Sequence, residues 1–304
     1  MGQDHQVGRD CGGVTHKDPM TINTTETATL LRSAIRFQTP CGDGVLVWHV
    51  WGRDTATQHR PVVLLHGGSG SWTHWVRNIQ SLVEAGREVW VPDLPGFGDS
   101  ALPATGHDAD ALAAPLELGL QQLIGSRVVD LVGFSFGGMV SGYWAADFPA
   151  RVACLVVVGA PALGVVSHRT VVQLKGWRHF TDEAKRDEIH RHNLSVLMLH
   201  DPLLIDAPVL ELHKTNVLRD RMPKRRLSVT DVLAQQLKRV VCPLFAIYGR
   251  EDALYQGHLD VLSNTLSAMP TFQKLQLLEG AGHWVQYERA DAFNIALRQL
   301  LNAS

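Results

Sequence analysis

The feature that most constrains this chain is an apolar segment that runs directly into the pentapeptide Gly-Phe-Ser-Phe-Gly at residues 133–137. The preceding residues 128–132 are apolar and mostly β-branched apart from Asp130, which predicts a buried strand, and a helical pattern follows the pentapeptide. A sharp turn between a strand and a helix strains the backbone of Ser135 and points its hydroxyl outward. Gly133 and Gly137 are needed because side chains there would collide where strand and helix pack. We therefore predict that Ser135 is a nucleophile.

A nucleophilic serine needs a base to accept its proton and an acid to orient that base. After this kind of turn the acid and then the base follow the serine along the chain. A strand predicted over residues 243–249 leads to Glu251 and Asp252, and a later strand leads to His283. Of the two histidines beyond the acid, His258 follows too soon for a helix and a strand to intervene. We predict Asp252 as the acid, with Glu251 as its rival, and His283 as the base.

Two backbone N–H groups must also meet the negative charge that develops on an attacked carbonyl oxygen. Phe136 supplies one, because it directly follows the nucleophile at a helix N-terminus. The glycine-rich loop after the strand predicted over residues 62–65 supplies the other, with Gly68 as first choice and Gly67 as second. His66 is interpreted as a structural hydrogen-bonding residue of this loop. The residues predicted to contact the substrate are Gly67, Phe134 and Trp284.

Apolar strand patterns alternate with helical patterns along most of the chain. This alternation predicts an α/β fold with a mostly parallel sheet and helices on both faces. Two opening strands are predicted over residues 30–38 and 45–51, with a hairpin turn between them. The other predicted strands cover 62–65, 88–91, 128–132, 152–158, 243–249 and 272–279, and predicted helices include 75–84 and 111–123.

The alternation breaks over residues 162–239, which are polar and helical in pattern. We predict that this segment, called the cap below, covers Ser135 as a helical lid and shapes the substrate pocket. Residues 26–161 and 240–304 form the predicted core, and residues 1–25 form a disordered leader. Six histidines lie in the cap, but their spacing fits no familiar ligand pattern, so no metal is expected. They are His168, His179, His190, His192, His200 and His213.

Composition excludes several classes of function. The net charge is −2 and the single basic cluster, at residues 219–226, is interpreted as a solvated loop, so nucleic acid is not an expected partner. The longest apolar run is too short for a membrane span. Four scattered cysteines and the lack of an apolar N-terminal segment favour a reducing cytoplasm. No cofactor is expected, and the oligomeric state stays open, a homodimer being one alternative.

Five motifs together resemble the α/β-hydrolase superfamily over residues 30–303. They are the His-Gly-Gly loop, Pro-Asp-Leu-Pro-Gly-Phe-Gly-Asp-Ser at 92–100, the serine pentapeptide, Gly-Arg-Glu-Asp at 249–252 and Gly-His-Trp at 282–284. The resemblance implies an α/β-hydrolase fold with an eight-stranded sheet and a helical lid insertion. Residues 283–294 are also similar to the C-terminal segment of meta-cleavage product hydrolases, which cut a C–C bond in vinylogous keto acids.

Two features differ from those C–C hydrolases. The group usually carries Asn before the nucleophile, where this chain has Phe134. The group also uses a lid arginine to hold the substrate carboxylate, and near that place this chain has His213 and Lys214. We therefore predict a serine hydrolase for a small, mostly apolar ester, lactone or vinylogous ketone. The alternative is a hydrolase-like ligand receptor or interaction protein with little turnover.

Overall fold

The computed structural model describes residues 25–54, 59–165 and 172–303, so almost all of the predicted leader lies outside the described residues. Eight strands form a single sheet in this part of the chain. The strands are β1 (Ile35–Cys41), β2 (Gly44–Trp51), β3 (Val62–Leu65), β4 (Val89–Pro92), β5 (Val129–Phe134), β6 (Val152–Val158), β7 (Leu244–Gly249) and β8 (Phe272–Leu278).

The strand order is β1-β2-β4-β3-β5-β6-β7-β8. β2 pairs antiparallel with both β1 and β4, and every other neighbouring pair is parallel. β5 lies between β3 and β6, and all of its residues are buried, which explains why all of them except Asp130 are apolar. Asp130 forms ion pairs with Arg60 and Arg87. The predicted α/β-hydrolase fold with a mostly parallel eight-stranded sheet is confirmed. Functional groups gather at the carboxyl ends of such strands.

Ten α-helices in the described residues surround the sheet. One hydrophobic core, containing Leu116 and Trp144, lies on one face of the sheet, and a second core, containing Ile79 and Phe293, lies on the other. The helices are α1 (Thr25–Ser33), α2 (Ile79–Glu84), α3 (Ala113–Ile124), α4 (Phe136–Asp147), α5 (Glu183–Asn193), α6 (Ala207–Leu218), α7 (Val232–Leu237), α8 (Leu259–Ser267), α9 (Val285–Glu288) and α10 (Ala290–Asn302). No described helix is both long and apolar enough to cross a membrane.

The beginning of the described chain differs from the sequence-based prediction. Residues 25–33 form α1, whereas a strand was predicted from Leu30. Leu30 is buried, and its carbonyl oxygen accepts hydrogen bonds from the Trp51 indole N–H and the Ser33 hydroxyl, both at 2.9 Å. The burial of Leu30 and its tertiary hydrogen bond with Trp51 stabilise a helix despite four threonines and serines, whose helix propensity is modest. The first strand therefore begins only at residue 35.

A second difference concerns the helix predicted over residues 75–84. A short 3₁₀ helix, Trp72–Trp75, forms first, and α2 begins only at residue 79. The Ser71 side chain accepts a hydrogen bond from the Thr73 N–H and so caps the 3₁₀ helix. The 3₁₀ helix thus begins three residues before the predicted helix, directly after the glycine-rich loop.

The described part of the cap is helical and contains α5, α6, α7 and a five-residue π-helix, Leu194–Met198. Leu194 and Leu210 join the core on one face of the sheet. α7 instead packs on α4 on the opposite face, where Leu233 comes so close that a Cβ on Gly142 would lie 2.4 Å from it. α7, the last helix of the predicted cap, thus packs in the hydrophobic core.

Candidate active site

Ser135 lies in the sharp turn between β5 and α4. Its φ of +51° and ψ of −115° are strained for a residue with a Cβ atom. Its N–H donates to the Val158 carbonyl oxygen at 2.8 Å, which fixes the turn to β6. A Cβ on Gly133 would lie 2.4 Å from the Gly137 carbonyl oxygen, so glycine is required for α4 to pack this closely. The fold thus presents the Ser135 side chain at the end of a central strand.

Ser135, His283 and Asp252 form a continuous hydrogen-bonded chain. His283 Nε2 is 2.8 Å from Ser135 Oγ, and His283 Nδ1 is 2.9 Å from Asp252 Oδ2. An ionised carboxylate only accepts hydrogen bonds, so Nδ1 carries the proton and Nε2 is free to accept from the serine hydroxyl. Asp252 and His283 are almost completely buried, which shields their interaction from water. The structure therefore brings the three residues together in the order that proton transfer requires.

Asp252 and its rival Glu251 have different partners. Asp252 Oδ1 accepts the Leu254 N–H at 2.9 Å, which orients the carboxylate toward His283. Glu251 Oε2 instead accepts the Ala281 N–H at 2.9 Å, and the Glu251 N–H donates to the Ala281 carbonyl oxygen at 3.0 Å. Glu251 thus holds the loop that carries the histidine, while Asp252 contacts the histidine itself.

The peptide between Gly67 and Gly68 is held by a buried histidine. His66 Nε2 accepts the Leu94 N–H at 2.8 Å, so this nitrogen carries no proton. His66 Nδ1 must then carry the proton, and it donates to the Gly67 carbonyl oxygen at 2.8 Å. In a trans peptide the N–H points opposite to the C=O, so this hydrogen bond also fixes the direction of the Gly68 N–H. The predicted structural role of His66 agrees with this geometry.

A second histidine distinguishes the two glycines that the sequence offered as donors. The Gly67 N–H already donates to His74 Nδ1 at 3.2 Å. No hydrogen bond within the described residues uses the Gly68 N–H, and a Cβ on Gly68 would lie 3.6 Å from Phe136 Cβ. The Phe136 N–H, at the first position of α4, has no acceptor inside the helix. Gly68 and Phe136 are therefore two neighbouring donors at the turn that carries Ser135.

Burial lowers the pKa of His66 and lowers that of His74 well below its ordinary value, because desolvation disfavours the charged ring. The pKa of His49, which packs between two indole rings in the core, is lowered for the same reason. Each ring is thus neutral in the folded protein at neutral pH. The neutral state is what allows His66 to accept the Leu94 N–H and His74 to accept the Gly67 N–H.

We expect the free energy of unfolding to fall as the pH falls below about 6.5. The unfolded chain then binds protons that the folded chain excludes at His49, His66 and His74, at a cost of up to about 1.4 kcal/mol per pH unit for each histidine. Urea unfolding between pH 7.5 and 5.0 measures this slope. His49→Phe replaces one ring by another that does not titrate. The slope of its unfolding free energy against pH should therefore be smaller by up to about 1.4 kcal/mol per pH unit, the contribution of one proton. An unchanged slope would contradict the assignment of His49 as a neutral core residue.

A cavity of about 520 Å³ extends from the glycine-rich loop of residues 66–71, the predicted oxyanion loop (called the oxyanion loop below), into the cap. Its wall combines apolar groups with basic and imidazole side chains, as expected of a site for a small molecule with a polar end. Trp177 and Leu197 line it, whereas Leu199 is buried in the core. The lining residues are Gly68, Ser69, His74, Leu174, Lys175, Gly176, Trp177, Arg178, His179, His190, Asn193, Leu197, Met198, His213 and Val217.

The three predicted substrate contacts do not line this cavity. Phe134 is fully buried, with its ring centroid 5.1 Å from that of His283, and Trp284 donates from its indole N–H to the His74 carbonyl oxygen at 3.0 Å. Gly67 is also buried, because Phe134 packs against it. The side chains of Phe134 and Trp284 pack in the core beside Ser135 and His283, and Gly67 has no side chain to present. The structure thus places all three residues behind Ser135 and His283, outside the cavity wall, and their contact with a substrate stays a prediction.

The cationic part of the cavity wall also differs from the prediction. Lys214 is bound by carboxylates, with its Nζ 2.8 Å from Asp187 Oδ1, and it does not line the cavity. His213 does line it, but burial lowers its pKa to about 3, so it is neutral at neutral pH. Arg178 lines the cavity and makes one long hydrogen bond, 3.4 Å, to the Val217 carbonyl oxygen. No local motif in the sequence marked Arg178.

Glu288 joins the cap to the loop that carries His283. Its carboxylate accepts three backbone N–H groups, from Gly282 at 2.6 Å, His200 at 3.1 Å and Asp201 at 2.6 Å. The carboxylate is nearly buried, so these charge-assisted hydrogen bonds are sheltered from water. Glu288 thus fixes the peptide next to His283 and the start of the cap segment around residue 200.

Glu288→Gln should lower the free energy of unfolding by about 2–3 kcal/mol. The glutamine NH₂ group would face backbone donors and leave at least one N–H buried without an acceptor. Glu279→Gln is the matched control, because Glu279 pairs with Arg250 on the surface, and it should change stability by less than about 1 kcal/mol. Urea unfolding of both variants at pH 7.5 makes the comparison. Equal effects of the two substitutions would contradict a supporting role for Glu288.

No group of three or more metal-ligating side chains is found in the described ranges. His190 and His213 have ring centroids 5.4 Å apart, and His168 lies outside the described residues. Cys41, Cys154 and Cys242 are buried, and none of the three is in a disulfide.

Comparisons with known proteins agree with the fold described above. A family model of the α/β-hydrolase fold matches residues 60–193. The 2-hydroxy-6-oxononadienedioate/2-hydroxy-6-oxononatrienedioate hydrolase of Escherichia coli O139:H28 is 30% identical over 248 residues, which cover 77% of this chain and 84% of the relative. The chain belongs to the α/β-hydrolase family. The 2-hydroxy-6-oxo-6-phenylhexa-2,4-dienoate hydrolase of Burkholderia cepacia is 29% identical over 255 residues, 79% of this chain and 86% of the relative. This α/β-hydrolase is therefore an enzyme close to the C–C bond hydrolases.

Solved structures show the same fold for this α/β-hydrolase. The carboxylesterase CesB of Bacillus subtilis has a TM-score of 0.72 at 18% identity and covers 92% of this chain and 95% of its own. A meta-cleavage product hydrolase of Pseudomonas fluorescens IP01 has a TM-score of 0.68 at 22% identity, covering 88% and 97%. Ester hydrolases and C–C hydrolases thus share this architecture, and the choice between the two reactions depends on side chains in the cavity.

Proposed function

We propose that this α/β-hydrolase is a serine hydrolase in which Ser135 attacks a substrate carbonyl. His283 accepts the hydroxyl proton and later delivers it to the leaving group, while Asp252 orients the imidazole and stabilises its positive charge. The Gly68 and Phe136 N–H groups receive the developing oxyanion. The observation that carries the proposal is the hydrogen-bonded chain from Ser135 Oγ to the Asp252 carboxylate in a strained turn. Structural turns rarely combine such strain with a buried, oriented histidine.

We further propose a vinylogous keto acid as the substrate, of the 2-hydroxy-6-oxo-dienoate type named in the relatives. Hydrolysis of the C–C bond next to the 6-oxo carbon adds water across it and yields a carboxylic acid and a shorter dienoate. The apolar wall of the cavity, with Trp177, Leu197 and Met198, suits the dienyl or aryl part of such a molecule. Arg178 in the same wall suits its carboxylate.

A second candidate, ester hydrolysis, is favoured by the residue before the nucleophile. Phe134 fills that position, where the C–C hydrolases that the sequence resembles usually have Asn. A phenyl ring offers no hydrogen bond to a substrate enol or keto group, and here it packs between Trp75 and His283. A site without that polar group places fewer demands on the acyl part of its substrate.

Parallel kinetics decide between the two reactions. Loss of the absorbance of 2-hydroxy-6-oxo-6-phenylhexa-2,4-dienoate measures C–C cleavage, and p-nitrophenyl esters of two to eight acyl carbons measure ester cleavage. The C–C hydrolase proposal predicts a kcat/KM for the keto acid at least about tenfold above that of the best ester. The reverse ratio makes the protein an esterase. If the protein turns over neither substrate but a fluorophosphonate probe labels Ser135 stoichiometrically, the result supports the receptor alternative.

Arg178→Gln tests recognition of the carboxylate. The KM for the phenyl keto acid should rise about 10- to 100-fold, because a hydrogen bond between charged groups is lost, while the KM for p-nitrophenyl acetate stays within about twofold. Lys214→Gln is the matched control, since it removes a cap cation that points away from the cavity wall. An equal effect of the two variants on the keto acid would exclude Arg178 as its carboxylate-binding residue.

A further inference from the structure

The sequence favours a solvated loop for the basic cluster at residues 219–226, and part of the cluster is indeed exposed. Three of its arginines, Arg219, Arg221 and Arg225, nevertheless bind residues of the core. Arg219 forms an ion pair with Asp99, and Arg221 donates from its guanidinium to the Gly98 carbonyl oxygen at 3.2 Å. The Arg221 N–H also donates to the Gly96 carbonyl oxygen at 2.9 Å. The cap therefore returns to the core along a fixed path beside the loop that follows β4.

Within this segment Asp220 and Arg225 form a bidentate ion pair. Arg225 Nη1 and Nη2 each lie 2.9 Å from a different oxygen of the Asp220 carboxylate. The Asp220 side chain is only 7% exposed. Desolvation acts to raise the Asp220 pKa, but the hydrogen bonds and charge of Arg225, together with hydrogen bonds from Ser69 and the Met222 N–H, lower it overall. The Arg225 guanidinium also lies over the Phe97 and Phe136 rings, 5.0 and 5.4 Å from their centroids. One carboxylate and two rings thus hold the guanidinium in one place.

This ion pair binds the oxyanion loop through Ser69. The Ser69 hydroxyl donates to Asp220 Oδ2 at 2.5 Å, and Arg225 Nη2 donates to Ser69 Oγ at 3.3 Å. Ser69 has a φ of +51°, which is unfavourable for a residue with a Cβ atom. Its hydroxyl contacts with the cap offset that strain. The residue before it is Gly68, and a Cβ there would lie 3.4 Å from Arg225 Nη2.

We propose that Ser69, Asp220 and Arg225, called the clasp below, are positioning residues that hold the Gly68 N–H in place for the oxyanion. The inference rests on the proposed serine hydrolase function. His66 and His74 hold one side of the oxyanion loop from the core, and the clasp holds the other side from the cap. The oxyanion hole is therefore complete only when the cap is seated.

The clasp acts on the transition state more than on substrate binding. Oxyanion donors accelerate a reaction because they are fixed before the charge appears, so a loosened loop lowers kcat and changes KM little. Loss of the Ser69 hydroxyl or of the Asp220 charge should lower kcat about 10- to 100-fold, less than the loss of a whole donor. Loss of Arg225 should cost more, because the Asp220 carboxylate would remain uncompensated near the developing negative charge.

The test compares Ser69→Gly, Asp220→Asn and Arg225→Gln in the full-length protein. Glycine accepts a positive φ freely, so Ser69→Gly removes the hydroxyl without adding backbone strain. Asp99→Asn is the control, because it weakens the Arg219 ion pair of the same cap segment without touching Ser69. We expect p-nitrophenyl acetate turnover to fall about 10- to 100-fold in the first two variants and further in the third, with KM within about threefold, and the control within about twofold.

Two further readouts separate positioning from general stability. A boronic acid that forms a tetrahedral adduct on Ser135 should bind at least about tenfold more weakly to each clasp variant, because it needs the oxyanion hole. Amide hydrogen exchange of the peptide that contains Gly68 should be faster in Asp220→Asn than in Asp99→Asn, and this holds whether or not the enzyme turns over. Unchanged kcat, boronic acid affinity and exchange in the clasp variants would overturn the inference. If a fluorophosphonate probe did not label the folded wild-type protein at Ser135, that result would instead overturn the proposed function.

Discussion

Replacing Ser135 with alanine should lower kcat by about 10⁴-fold or more on any substrate that the wild-type enzyme hydrolyses. The hydroxyl is the only group at this turn placed to attack a carbonyl, with His283 Nε2 2.8 Å from it. The remaining rate would come from binding and from the oxyanion donors alone. Steady-state kinetics of the purified variant measures the loss. A dilution series of the wild-type enzyme gives the lowest rate that the assay detects.

The fold should survive this substitution. Alanine keeps the Cβ atom, so the strain at φ +51° is unchanged, and the Ser135 N–H still donates to Val158. Urea unfolding should therefore give a free energy within about 1 kcal/mol of the wild-type value. Residual turnover above about 1% in a folded variant would show that another group is the nucleophile.

Asp252→Asn should lower kcat by about 10⁴-fold while the structure remains intact. The asparagine amide would present an N–H toward His283 Nδ1, so the imidazole would carry its proton on Nε2 instead. That tautomer cannot accept the proton of Ser135. The Leu254 N–H would keep an oxygen acceptor at residue 252, which preserves the loop. Rates measured across pH 6–9 should show the loss at every pH.

Glu251→Gln is the matched control for this prediction. Glu251 is the neighbouring carboxylate and binds the Ala281 N–H, and a glutamine oxygen can still accept that hydrogen bond. Its kcat should stay within about fivefold of the wild-type value. If Glu251→Gln were as damaging as Asp252→Asn, the assignment of the acid to residue 252 would be wrong.

The sequence predicted the parts of the molecule that depend on strand order and local geometry. Ser135, Asp252 and His283 each follow a strand of the same parallel sheet, so their meeting at its carboxyl edge could be inferred from the position of three strands. The glycines around the serine are required by contacts with adjacent backbone, which a pentapeptide pattern records. Such constraints act over a few residues and therefore appear in the sequence.

Contacts between distant segments could not be predicted in this way. Ser69 and Asp220 are 151 residues apart, and nothing in the basic cluster at 219–226 indicates that its carboxylate binds the oxyanion loop. The cavity wall depends on how the cap helices pack, so Arg178 had no local signal. Phe134 and Trp284 are predicted substrate contacts, yet the packing of the core buries both side chains, which no local pattern records.

A fluorophosphonate probe tests the central claim most directly. Such a probe reacts with a serine only when a neighbouring base activates the hydroxyl and the oxyanion is stabilised. The protein is incubated with the probe and digested, and the adduct is mapped by peptide mass, with Ser135→Ala and Asp252→Asn treated in parallel. The account predicts stoichiometric labelling at Ser135 in the wild-type protein, no adduct in the first variant and labelling slowed by at least about 100-fold in the second. A folded wild-type protein that remains unlabelled, or that is labelled at another serine, would contradict it.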